Sequence, residues 1–393
     1  MDDITYDVTI VGSGPAGTTA AIQLARQGLK VCLVEKLSHP RYKVCGGGVT
    51  ARAANLLPIS LDAVLEEPCC RFELYIQGRE QNFIIQRDKP IIFMVMRANL
   101  DALLLAEAKK LGVEIFENTT AKDVTQKNGW VTLLTNRAPL RSSFLIAADG
   151  VASIVALRGG WPVNLSSIPA LECEVAVDRA TLERFSGAAR FDLDHPCRGY
   201  SWVFPKKKHL SVGVLSMARN AAGLKESFYA YLEMLNIHSV EPLEPHGALI
   251  PVKPRPELLA RGRILLVGDA AGLADPISAE GISNALLSSL LVAQAVTEGA
   301  MDPEKVTSIY QRYLEISILR ELGIAERHAR MLYEHRHIRN IMFRLIGEKF
   351  CEKLIDVTME ERSFASFGGP LRLLANLGSS FRHKNCLNPA ANS

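Results

Sequence analysis

The chain has 393 residues, 48% of them apolar and 22% charged, a composition that can bury a large core and excludes a disordered or fibrous protein. Its 45 basic and 42 acidic residues leave a net charge of +3, too near balance for the strongly basic face that nucleic acid requires. The eight cysteines have no zinc-like spacing, and the longest apolar stretch, 285–296, is too short to span a bilayer. The expectation is a protein of the reducing cytoplasm, with any membrane contact peripheral.

Asp7 to Val11 reads as a buried strand, Ala16 to Gln27 as a helix and Lys30 to Val34 as the next parallel strand. Together they form a βαβ unit that opens a doubly wound sheet. Between strand and helix lies Gly12-Ser13-Gly14-Pro15-Ala16-Gly17, the GxGxxG spacing. Gly12 permits the tight turn, Gly14 admits a pyrophosphate, and Gly17 lets helix and strand pack closely, so phosphates meet the positive helix end. Glu35 closes the second strand, where a carboxylate accepts a ribose hydroxyl, and Lys36 follows it. This fingerprint fits NAD and FAD alike.

Next comes the loop Pro40-Arg41-Tyr42-Lys43-Val44-Cys45-Gly46-Gly47-Gly48. Three successive glycines let backbone lie flat against a ring, and Arg41 and Lys43 offer charge to a phosphate or an anionic ring. Cys45 reads either as a small buried hydrophobe or as a reactive thiol in contact with substrate. Residues 72–93 alternate as antiparallel strands, and Arg97 to Leu111 reads as a helix. Arg97 is a helix-end charge or a cation aimed at phosphate. Strands near 130–134 and 144–148 lead into Asp149-Gly150.

Residues 170–177 and 210–215 read as strands of a second sheet, with Tyr200-Ser201-Trp202-Val203-Phe204-Pro205 between them. Period-two spacing puts Tyr200, Trp202 and Phe204 on one face, either as core packing or as the aromatic wall of a cavity. Arg263 to Val267 returns to the buried-strand pattern and ends on Gly268-Asp269, where an unpaired carboxylate would be costly. The segment Pro276 to Ile282, which includes Gly281, precedes a helix and offers backbone amides. From Pro303 onward the chain reads as helical.

Ala147-Ala148-Asp149-Gly150 with Ser153 resembles the DG motif of the aromatic-hydroxylase flavoprotein fold, and Arg263 to Ala271 resembles its GD motif. That resemblance implies FAD, with Asp269 on the ribityl chain, Arg97 near the flavin phosphates and the amides of 276–282 facing the flavin pyrimidine. Taken in order with the Cys45–Gly48 loop and the Tyr200–Pro205 segment, these motifs make roughly residues 5–300 resemble the geranylgeranyl reductase family. Such enzymes saturate carbon–carbon double bonds of isoprenoid chains in lipids, quinones or chlorophyll side chains.

The resemblance implies an α/β fold in which a Rossmann-like FAD-binding domain (1–70, 95–160 and 260–300) is interleaved with a substrate domain of mixed or antiparallel sheet (71–94 and 161–259), followed by helices over 301–393. It adds Lys36 and Ala121 to the cofactor contacts and assigns the catalytic roles to Cys45, Tyr200, Trp202 and Phe204. Protonating the alkene places positive charge on its tertiary carbon, which hydride from flavin N5 quenches. Aromatic faces stabilise that charge, and the Tyr200 hydroxyl positions a water or gives the proton. NAD(P)H or ferredoxin supplies the electrons. Two positions depart from the family, Val44 for a common Pro and Ala279 for Gly. The rival reading is a monooxygenase or a halogenase, since Gly199 to Pro205 differs from the halogenase pattern G-W-x-W-x-I-P at Tyr200 and Phe204.

Ile338, Ile341, Met342, Leu345 and Ile346 fall at helical spacing, with Arg336, Arg339, Arg344 and Lys349 around them and Arg327 and Arg330 earlier. The stripe either packs on the flavin domain or rests on an anionic membrane near the substrate entrance.

Overall fold

Parallel strands covered on both faces need continuous apolar runs. Four runs found in sequence, joined by the short strand Glu114–Phe116 that the sequence does not announce, build such a sheet in the order Ile264–Leu266, Leu140–Ala147, Thr5–Val11, Val31–Val34, Glu114–Phe116, parallel throughout. The computed structural model describes residues 5–78, 81–163, 165–196, 198–218 and 222–367. Helix Pro15–Arg26 returns over the sheet and packs against Ile282–Glu298. Trp130–Thr135 and Ala121–Lys127 extend the sheet antiparallel from Leu140–Ala147. The order reverses between Thr5–Val11 and Leu140–Ala147, and the crevice at the carboxyl ends of such strands is where doubly wound sheets hold ligands. Gly12, Asp149 and Asp269, distant in sequence, all emerge at that edge.

The second sheet has seven strands in the order His246–Pro251, Ser167–Ala176, His209–Ser216, Gly199–Pro205, Ala188–Leu193, Arg71–Ile76, Asn82–Gln86. Every pairing is antiparallel except that of Ala188–Leu193 with Arg71–Ile76. Val175, Val203, Val212 and Val214 on one face pack against Phe228, Tyr231 and Leu232 of helix Leu224–Met234. The other face carries Tyr200, Trp202 and Phe204 and meets the C-terminal helices. A three-stranded sheet joins Gly48–Thr50 and Leu65–Cys69 to Ile92–Val95. The alternating segment 72–93 is therefore shared between two sheets rather than forming one hairpin stack.

Helices Pro303–Leu314, Arg320–Glu334 and Arg336–Thr358 follow. The basic stripe is corrected here. Arg339 does not lie in solvent: it is fully buried, and its Nη1 and Nη2 donate to the Asp194 carboxylate at 3.0 and 2.6 Å. Met342 is buried as well, and the helix is broken at Ile346 (φ −144°), so the five apolar residues do not share one face. Ile341 and Leu345 remain exposed at 54% and 74%. Among the described residues no helix is long and apolar enough to cross a membrane.

Candidate active site

A cavity of about 690 Å³ runs from the carboxyl edge of the parallel sheet to the aromatic face of the second sheet. At the nucleotide end Gly12 has φ +100°, and a Cβ there would stand 2.3 Å from the Ala148 carbonyl oxygen. A Cβ on Gly17 would meet the Gly12 oxygen at 1.9 Å, so this glycine serves close helix packing and is itself not on the cavity wall. Above Gly14 the nearest atom to such a Cβ is Arg97 Nη2 at 4.0 Å, which leaves room for a ligand beside that guanidinium. Arg97 is no surface charge: its side chain is 10% exposed and grips Asp101 with two bonds of 3.0 Å.

Glu35 lines the same end, and its carboxylate also holds the loops together. It accepts the Ser13 amide at 3.0 Å, the Ser13 hydroxyl at 2.6 Å and the Leu37 amide at 3.1 Å, with Arg41 3.5 Å away. Burial pushes this carboxyl up, but the Ser13 hydroxyl, Arg41 and the two amides outweigh burial and hold it below its ordinary value. Arg41 also pairs with Asp101 at 3.3 Å, while Lys36 and Lys43 are exposed at the rim and Ala121 lines the wall. Asp149 accepts the Ser153 hydroxyl at 2.5 Å and the Val155 amide at 3.2 Å, fixing the turn that carries Gly150 into the wall.

Asp269 also lines the cavity. Burial pushes its carboxyl up, Lys43 and Arg97 pull it down, and no hydrogen bond from the described residues reaches the carboxylate. Gly268 is behind it, its amide on Ser288 Oγ at 3.1 Å. Pro276 is not on the wall, and most amides of 276–282 are already used. Those of Ile277 and Ser278 donate to Asp275 Oδ1 at 2.9 and 2.8 Å, and that of Ala279 to the Asp275 carbonyl at 2.8 Å. The amides of Gly281 and Ile282 alone in this segment lack a partner among the described residues, and both residues line the cavity at a helix start. Ala279 sits at φ +56°, the left-handed region that explains the family's glycine.

The loop of three glycines is pressed onto the aromatic face. A Cβ on Gly46 would come within 2.8 Å of Trp202 Nε1 and 2.9 Å of Phe204 Cδ2. Lys206, fully buried, ties the loop down by donating to the Gly46 and Val95 carbonyls at 2.8 and 2.7 Å. Cys45 lines the cavity, with its sulfur accepting the Gly47 amide at 3.4 Å, and Gly48 lies over Phe204. The Tyr200 hydroxyl donates to the Ser278 carbonyl, so it braces the sheet against the cofactor-side segment and is no free proton donor. Trp202 lies over Gly213 of the next strand, where a Cβ would be 2.0 Å from the ring. Its Nε1, buried, has no hydrogen-bond partner among the described residues. Tyr333, Phe343 and Phe350 of the C-terminal helices close the apolar end.

Sequence reading did not single out Gly213, Lys206 or Glu172, nor give Tyr42 a role, and it left the C-terminal aromatics outside the site. Gly213 and Glu172 gain meaning only from strand register, because Glu172, Gly213 and Trp202 face one another in a single row across three strands.

The FAD binding domain family matches residues 5–193. An uncharacterized protein of Methanosarcina barkeri is 30% identical, covering 81% of this chain and 82% of that protein. Digeranylgeranylglycerophospholipid reductase of Thermoplasma acidophilum is 27% identical over 91% of this chain and 92% of its own. Among solved structures, a geranylgeranyl bacteriochlorophyll reductase-like protein of Thermoplasma acidophilum superposes with a TM-score of 0.76 at 26% identity, covering 94% of this chain and 95% of that one. The glycine cradle, the unpartnered Asp269 carboxylate and the two free amides match the donors and acceptors of FAD: pyrophosphate, ribityl hydroxyls and pyrimidine edge.

Proposed function

Because the chain belongs to the geranylgeranyl reductase family of FAD-dependent oxidoreductases, we propose that it saturates carbon–carbon double bonds of an isoprenoid chain carried on a lipid. The observation that carries this reading is the continuity of the cavity: the cofactor cradle opens into an apolar chamber walled by Tyr200, Trp202, Phe204, Phe343 and Phe350. A hydrocarbon chain entering it exchanges water for aromatic faces, at about 25 cal/mol per Å² of apolar surface buried. FAD, when bound, supplies the hydride. The chain's own residues do the rest.

Gly12, Gly14, Arg97, Asp269, Gly281 and Ile282 would hold the cofactor, and Lys206 fixes the Gly46–Gly48 backbone against the aromatic row. Trp202 and Phe204 stabilise positive charge on the substrate carbon, an effect of roughly 0.5–2 kcal/mol per ring. Cys45 is placed to contact the substrate beside them. NAD(P)H or a ferredoxin brings the electrons, and the exposed Ile341 and Leu345 rest on the lipid surface that holds the substrate.

Anaerobic reduction followed by addition of a geranylgeranyl lipid tests the reaction. The expected result is reoxidation of the flavin with formation of saturated product. A requirement for oxygen would instead make the enzyme a monooxygenase.

A further inference from the structure

Adding hydrogen across a double bond needs a proton as well as a hydride, and the Tyr200 hydroxyl is committed to a carbonyl. Another acid shares a cross-strand row with Trp202. Glu172, 1% exposed, lines the cavity in the same cross-strand row as Trp202. Neighbouring strands lie about 4.8 Å apart, so the two backbones are roughly 10 Å apart. Gly213 between them has no side chain, and the Trp202 ring spans the gap toward the carboxyl. Glu172 Oε2 accepts the Tyr42 hydroxyl at 2.8 Å and Oε1 the Ser211 hydroxyl at 3.1 Å. Tyr42 is 45% exposed, and its ring lies 4.7 Å from, and tilted by 48° to, that of His246, an exposed residue paired in register with Glu172. A buried carboxyl on the cavity wall is thus joined through one hydroxyl to a half-exposed tyrosine.

We propose that Glu172, oriented by Tyr42 and Ser211, gives the proton that completes reduction of the double bond. This rests on the reductase reading above. The balance is simple. Hydride from the reduced flavin forms one C–H bond, the Glu172 O–H bond breaks to form the other, and the π bond is consumed. Glu172 is left as a carboxylate, and Tyr42 passes it a proton while taking one from solvent.

The surroundings suit an acid that keeps a substantial protonated fraction near neutral pH. Burial first, then the charge of Glu174, pushes the Glu172 carboxyl up to about 7, while the Tyr42 and Ser211 hydroxyls and Lys206 act to lower it. Cys173 on the same strand, His246 on the neighbouring strand, and His209, which pairs with Glu174 at 3.0 Å, are further titratable groups on the elements packed around it. The rival acid on the wall is Glu280, whose carboxylate takes the Ser283 amide at 2.8 Å and so caps the helix beside the free amides.

The acid form exists below its pKa, so product formation at saturating reductant should fall about tenfold per pH unit above about 7. Glu172→Gln keeps the shape, and should lower product formation about 100-fold and abolish that limb. Its flavin absorbance per protein should stay unchanged. Tyr42→Phe removes a bond that favours the carboxylate, so the limb should move to higher pH. Difference infrared spectra of the holoenzyme without substrate give an independent readout: a protonated-carboxyl band that titrates near pH 7 and is absent in Glu172→Gln. If wild type makes saturated product and Glu172→Gln keeps its rate and pH profile, or if Glu280→Gln alone removes the limb, this assignment is overturned while the reductase reading stands. A wild-type enzyme that saturates nothing overturns both.

Discussion

Asp269 illustrates how much one unpartnered atom pair can carry. A carboxylate pushed upward by burial, with no hydrogen bond from the described residues, awaits a donor, and a ribityl hydroxyl is one. A hydrogen bond to a charged group contributes about 1.5–3 kcal/mol. Asp269→Ala should therefore weaken FAD retention roughly 10- to 100-fold, read from the flavin absorbance left after gel filtration, and Asp269→Asn should lose less because an amide oxygen still accepts. Asp269 was legible in the sequence because its neighbours, a buried strand and a glycine, are local. Gly213 was not. Its value lies in being opposite Trp202, a fact of register that no window of residues contains. Lys206 was hidden for a related reason: a lysine reads as surface, and only the fold supplies the two carbonyls that hold it inside.

The last long helix is legible as an element and misleading as a face. Its periodicity announces an amphipathic helix, but periodicity cannot say that Arg339 has a carboxylate waiting 145 residues earlier in the chain. Asp194, itself buried, takes both Arg339 and, at 3.1 Å, Arg336, and so fastens the helix to the end of strand Ala188–Leu193. Breaking a buried pair on one side strands the other charge, typically at 3–5 kcal/mol. Arg339→Met should destabilise the protein toward the lower end of that range, since Arg336 remains, and Asp194→Asn in the same chain should recover part of the loss. Urea unfolding of the two variants beside the wild type checks both statements. The π-helical turn Glu315–Leu319 lies within the region that reads as helical from Pro303 onward, and periodicity does not announce it.

At the scale of the molecule, the buried strands beside the glycine turns of the nucleotide-binding sheet were readable, because apolar runs and glycine punctuation are local signals, whereas Glu114–Phe116 and Ala121–Lys127, short or largely exposed, carry no such signal. The arrangement of the second sheet over the cofactor edge was legible only as an aromatic stripe with two possible meanings. The outer surface of helix Arg336–Thr358 extends this picture: Phe343 and Phe350 face the cavity while Ile341 and Leu345 face out, with Arg344 and Lys349 exposed near them. The protein is expected to sediment with anionic vesicles more than with neutral ones, less so in high salt, and Ile341→Glu with Leu345→Glu should abolish the difference. Equal sedimentation of wild type with both kinds of vesicle would remove the membrane role. Direction along each strand of the second sheet alternates, and this separates two kinds of inheritance. Tyr200, Trp202, Phe204 and Glu172 meet the chamber, whereas Val203, Cys173 and Val175, interspersed with them, meet the helix behind. Descendants of such a chain can drift in what they accept by changing every second residue, while the intervening positions, under selection only for cohesion, pass on the scaffold unchanged.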